Sequence, residues 1–215
     1  MTTPAPLSRS LFTLSIFYGG MVCIAGVLGN KQVALGPLAV EAGIFAFLLL
    51  VAVSSAVAEL HGRNTANRLV LLGFIPLLAS IALTALVLTL PPAADMPADR
   101  RAAFDLLMGG TWRIWLGGIT AYGASQLLNV TIFSALKREG GKMMWLRGAI
   151  AGVLSQIVDT LIFITVPFYG EFPIGHLLMG QMLATVVLSV VLVPALIARF
   201  VAFGRSLDRA SDAGA

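Results

Sequence analysis

The chain reads as an all-α polytopic membrane protein, a bundle of six transmembrane helices with both termini cytoplasmic. Three observations predict this. Hydrophobic residues make up 58% of the 215 and charged residues only 11%, with a mean hydropathy of +0.94, whereas a soluble domain carries about a quarter charged residues. Six runs approach or exceed the ~20 apolar residues that a helix needs to cross a bilayer. The basic residues are also lopsided, with ten on segments that would face the cytoplasm and four on the others. That is the bias of the positive-inside rule.

The first span, about Leu11 to Gly29, has no small-residue cleavage pattern, and five further spans follow it, so it reads as a retained helix and not as a secretory signal. Its Cys23 is the single cysteine of the chain, which excludes an internal disulfide. The second span, about Gly43 to Val57, is short and extends toward Glu41 or Glu59. Glu41 reads as a solvated boundary residue. Glu59, in Ala58-Glu-Leu-His-Gly62, is a candidate gate at the inner exit or a partner for Arg63 or Arg68. The third span, Leu69 to Leu90, holds Pro76 and stops at Pro91-Pro92, because proline cannot continue the helical ladder. From Met96 to Met108, Phe104, Leu106, Leu107 and Met108 mix with Asp99, Arg100, Arg101 and Asp105, which fits a short interfacial helix or a plain loop. The fourth span is Trp112 to Leu136, the fifth Arg147 to Phe168, and the sixth Leu177 to Phe203 with Pro194 inside it. Pro76 and Pro194 should bend their helices, as hinges or as ordinary kinks. Trp112, Trp115 and Trp145 lie near span ends, where indoles anchor at the headgroups. The tail, 205–215, is polar and reads as disordered.

The chemistry concentrates in a repeated phrase. Ala121-Tyr-Gly-Ala-Ser-Gln-Leu-Leu-Asn-Val-Thr-Ile-Phe133 and Ala151-Gly-Val-Leu-Ser-Gln-Ile-Val-Asp-Thr-Leu-Ile-Phe163 each set Ser-Gln-x-x-Asn/Asp inside an apolar run. Gln126 with Asn129, and Gln156 with Asp159, share a helical face at three-residue spacing. At 1.5 Å per residue, Gln156 and Asp159 lie about 13 and 18 Å into the fifth span, and Asn129 and Gln126 about 12 and 16 Å into the antiparallel fourth. Four polar groups thus reach similar depth, near the midplane where transporters hold substrate. Ser125 and Ser155 accompany them. Rows of small residues, Gly117-Ala121-Ser125 and Gly148-Gly152, would let the two helices approach closely. These polar groups bind a solute, or they fasten helix to helix. Asp159 favours the solute, since a midplane carboxylate must be neutralised, paired or solvated. Amides beside a carboxylate suit the donor and acceptor edge of a flat, guanine-like heterocycle and suit a phosphate poorly.

No hydrolase, zinc-protease or nucleotide-binding motif appears, so the chain is not read as an enzyme, and no cofactor is implied. His61 and His176 fall on opposite predicted sides, which disfavours a metal site. The basic residues cluster at helix ends, where topology explains them without nucleic acid.

The stretch from Ala121 to Gly170 resembles the queuosine precursor transporters, also called the vitamin uptake or VUT family. The resemblance rests on Ser125-Gln126, Phe133, Leu136-Lys137, Gly140-Gly141, Trp145-Leu-Arg147, Ser155-Gln-Ile-Val-Asp-Thr160, Ile162-Phe163 and Phe168-Tyr-Gly170. Weaker matches are Asn30-Lys31, Ala42-Gly43, and Glu59 with Gly62, Ala66 and Arg68. The resemblance implies a six-helix importer in the bacterial inner membrane for 7-cyano- and 7-aminomethyl-7-deazaguanine or a related base, serving tRNA queuosine salvage. It also carries over Gln126, Gln156 and Asp159 as substrate-facing candidates. This chain departs from the family pattern at Ser55 and Asn129, where acids are usual, at His61, where tyrosine is, and in the sixth span, which lacks a lysine. Two other readings stand beside the importer. One is a substrate-binding subunit of an ATPase-driven vitamin uptake complex. The other is an assembly protein whose polar residues only join helices. Homo-oligomerisation is compatible with all three.

Overall fold

A computed structural model describes residues 8–36, 38–109, 112–137, 143–170 and 174–212, with side chains at all of these except 39, 112, 168, 176, 177, 211 and 212. Along the described chain run α1 (Arg9–Leu28), β1 (Gln32–Leu35), β2 (Leu38–Glu41), α2 (Gly43–His61), α3 (Arg63–Thr89), α4 (Ala98–Met108), α5 (Trp112–Ala135), α6 (Met144–Phe168) and α7 (Gly175–Asp212). Gly140, Gly141 and the side chains of Trp112 and His176, all singled out in the sequence, lie outside what is described, as do Arg138 and Lys142, two of the ten basic residues assigned to the cytoplasmic side.

Five of the helices, α1, α2, α3, α6 and α7, are long and apolar enough to cross a membrane. The chain is therefore a helical polytopic membrane protein. The sequence predicts six spans, and the difference is α5. At 24 residues it is about 36 Å long, but Gln126, Asn129 and its other polar residues lower its hydropathy.

Burial ranks the helices. Of the most apolar stretch of α2, 72% is buried inside the protein, against 11% for α3. Helix α2 is the axis of the bundle, and α3 is a peripheral helix whose exposed Leu71, Leu72, Ile75, Leu83 and Leu86 suit lipid. Gly62, at φ +84°, separates these two helices by one residue, in a conformation that a Cβ would strain.

Several sequence expectations are revised. Between α1 and α2 the chain forms an antiparallel hairpin, pairing Gln32 with Glu41 and Val33 with Val40, where only a loop was expected. The stretch before the fourth predicted span does contain a helix, α4, steadied by an exposed Arg101–Asp105 ion pair at 3.7 Å. The polar tail is not disordered over its described part, since α7 continues through Arg205 to Asp212. Its Asp208 carboxylate accepts from the Ser10 amide (3.0 Å) and hydroxyl (2.7 Å), and the same hydroxyl lies 2.8 Å from His61 Nε2. These contacts tie α1, α2 and α7 together at one end of the bundle.

The two small-residue rows also part company. Gly117 on α5 does meet α6, where a Cβ would lie 2.7 Å from Pro167 Cγ. Gly148 and Gly152 instead face α7, where Cβ atoms would lie 2.6 Å from Ile197 Cδ1 and 3.3 Å from Val193 Cγ1. The second row therefore seats α6 on α7, and not α6 on α5. Pro76, Pro167 and Pro194 all lie inside unbroken helices. At Pro76 the Ser80 hydroxyl, one turn on, donates to the proline carbonyl at 2.7 Å.

Candidate functional site

The second copy of the repeated phrase opens onto a cavity. Gln156, Asp159 and Thr160 of α6 line it with Tyr122 of α5, Gln181 of α7 and Glu41 of the hairpin. Apolar walls come from Phe47, Leu50, Leu77, Phe163 and Ile164. The cavity holds about 90 Å³, several times the ~10–15 Å³ that a single water requires. A second chamber of about 230 Å³ adjoins it, sharing Val22, Gly26, Glu41, Leu77, Gly118 and Phe163 and reaching Cys23, Ser80, Met108 and Trp115.

Inside the first chamber the polar groups are only partly matched. The Asp159 carboxylate, 8% exposed, accepts one hydrogen bond, from the Ser125 hydroxyl at 3.0 Å. Gln156 is 2% exposed, and its Nε2 has no partner among the described residues. A buried donor without a partner costs free energy, and a bound solute with an acceptor would remove that cost. Among the described residues, no lining residue of either chamber is lysine, arginine or histidine.

The first copy of the phrase has different surroundings. Asn129 Nδ2 donates toward the Val51 carbonyl (3.2 Å) and the Ser54 and Ser55 hydroxyls (3.0 Å each), all on α2. Gln126 Oε1 accepts from Ser54 (3.2 Å) and from Tyr18 of α1 (3.5 Å). Neither Gln126 nor Asn129 lines the cavity; both join α5 to the central helix. Ser155 donates back to the Gly152 carbonyl of its own helix at 3.1 Å. The two notches do meet, through Ser125 and Asp159, but of the four paired polar residues Gln126, Asn129, Gln156 and Asp159 it is the α6 pair that lines the cavity.

Glu59 lies away from the cavity. Its carboxylate pairs with Arg147 Nη1 at 3.0 Å and Lys137 Nζ at 3.4 Å, and not with Arg63 or Arg68. Arg63 donates instead to the Thr131 hydroxyl at 3.3 Å. Arg147 Nε donates to the Phe133 carbonyl (3.1 Å), and its guanidinium stacks 4.1 Å over the Phe133 ring, a planar arrangement that lysine would not reproduce. This cluster locks α2, α5 and α6 at one end.

Three lining groups escaped the sequence reading. Glu41 was taken as a solvated boundary residue, yet it lines both chambers. The hairpin turns it inward, and the Gln181 side-chain oxygen accepts its backbone N–H at 2.9 Å. Burial pushes its carboxyl up to about 7, because desolvation disfavours the charged form. Gln181 shares one face of α7 with the buried Thr185 and Ser189 at four-residue spacing, a polar row that could have flagged it. Tyr122 was visible in the repeat but had no evident role; its hydroxyl donates to the Val70 carbonyl at 2.8 Å and lies 3.2 Å from that of Tyr18.

Comparison with known proteins places the chain. Residues 41–199 match the family described as "Putative vitamin uptake transporter". A protein of Bacillus subtilis (strain 168) called "Probable queuosine precursor transporter" is 28% identical over 163 residues, which are 74% of this chain and 70% of that one. No solved structure matches.

Proposed function

This chain belongs to the vitamin uptake transporter family, and from that membership we propose that it imports a queuosine precursor, 7-cyano- or 7-aminomethyl-7-deazaguanine or a related base, across a bacterial inner membrane. In this reading α5 is a sixth crossing and both termini face the cytoplasm. The observation that carries it is an under-bonded Asp159 carboxylate and the unpartnered Gln156 Nε2 lining one cavity.

A guanine-type edge complements that pairing. Its ring N–H and exocyclic amine would donate to Asp159, and its carbonyl would accept from Gln156 Nε2. Phe47 and Phe163 offer flat apolar surface to the rings. An analogue lacking one of these groups would leave a buried partner unmatched, which is the strongest form of discrimination available to such a site. Ser125 would orient the carboxylate, while Gln126 and Asn129 hold α5 against α2 so that the α6 copy stays aligned. Ser155 would support the same turn of α6, and Glu59 would guard the inner exit from within its ion-pair cluster.

The test is uptake of labelled precursor by cells that cannot make it and that carry this chain as their sole importer. Saturable uptake is expected, and Asp159→Asn or Gln156→Leu should reduce it on the order of 10–100-fold, since a buried hydrogen bond to a charged group contributes about 1.5–3 kcal/mol. Wild-type uptake in both variants would refute the site.

A further inference from the structure

Glu41 places a second carboxylate at the join of the two chambers. Asp159 lines only the first of them. The two acids arrive on different elements, β2 and α6, so they are not one acidic stretch of sequence. Asp159 has the Ser125 hydroxyl, whereas no hydrogen bond or ion pair reaches the Glu41 side chain among the described residues. Among the described residues, neither chamber has a basic lining residue. The nearby Gln156, buried and with an unpartnered Nε2 on the cavity wall, is a second and independent group that a ligand there would satisfy.

A carboxylate in such a place has to be protonated, or it has to meet a cation. We propose that Glu41 is a second ligand-binding carboxylate that pairs with a positively charged arm of the cargo, so that the protein selects an alkylammonium-bearing base over its neutral analogues. The inference rests on the base-binding reading above, with the flat edge on Asp159 and Gln156 and the arm directed to the chamber join. The Gln181 side chain, bonded to the Glu41 backbone N–H at 2.9 Å, fixes where that carboxylate begins. Glu41 is then a specificity residue: it does not hold the base but reads what the base carries.

Two ligands separate the possibilities: 7-aminomethyl-7-deazaguanine, which bears the ammonium, and 7-cyano-7-deazaguanine, which is neutral at the same position. Equilibrium binding to the purified protein at pH 7.5 or so should favour the ammonium ligand by at least about tenfold, the low end of what a desolvated charge pair supplies. In Glu41→Gln that ratio should collapse toward unity, and in Glu41→Asp part of it should survive. The ratio is read on the folded fraction, so a variant that folds poorly lowers the number of sites without imitating the result. Equal affinity for both ligands in the wild type, or an unchanged ratio in Glu41→Gln, would overturn the role of Glu41 and leave the base site standing. Failure of the wild type to bind either ligand would remove the base site, and this inference with it.

Discussion

Asn129 and Asp159 hold matching places in two copies of one phrase, yet their surroundings give them opposite duties. The Asn129 amide reaches three acceptors on α2, while Asp159 receives one hydroxyl and looks into a cavity. Replacing Asn129 with leucine removes the donor for buried Ser54 and Ser55. It should destabilise the protein by about 1–3 kcal/mol and leave ligand affinity in the surviving folded fraction near wild type. Asp159→Asn should do the reverse, with a thermal midpoint close to wild type and binding lost. Thermal unfolding followed by size-exclusion fluorescence, paired with ligand titration, reads both quantities. The Glu59–Arg147 pair teaches a related lesson. Two charges are kept out of water at 3.0 Å, which is tolerable because the Phe133 carbonyl takes the guanidinium Nε and the ring covers its face, contacts that help offset desolvation.

Helices were legible in the sequence wherever a long apolar run has defined stops: α3 ends at Thr89, with Leu90 as its C-cap before Pro91-Pro92, and α6 and α7 begin within a few residues of their predicted starts. What hydropathy could not reveal is which neighbour a helix turns to. Gly148 and Gly152 announce close approach but not a partner, and the partner proves to be α7. The hairpin was invisible for a different reason: four-residue strands are too short for a period-two pattern to stand out from a loop. Glu41 was misjudged along with it, since its inward turn depends on that pairing. The α6–α7 seam has a direct test. Gly148→Val pushes a side chain against Ile197 and should cost about 1–3 kcal/mol by overpacking, whereas Gly20→Val, with nothing within 4 Å of its Cβ position, should be close to neutral. Equal thermal midpoints for the two variants would contradict this packing.

Across the whole molecule, the second chamber and the proposed topology make a claim about sidedness, because that topology puts this chamber on the outer side. Cys23 is the chain's one cysteine and lines that chamber. A membrane-impermeant maleimide should therefore label intact cells at Cys23, and saturating precursor should slow the labelling several-fold by occupying the adjoining space. Labelling confined to inside-out vesicles would reverse the proposed orientation. The divided fate of the repeated phrase has a wider consequence. If the proposed site holds, one copy serves as a rivet and the other as a berth, and the berth is then free to drift toward new cargo while the frame keeps its shape. Differences in diet among relatives of this transporter should then be written in α6, α7 and the hairpin, with the matching turn of α5 held still by its grip on the central helix.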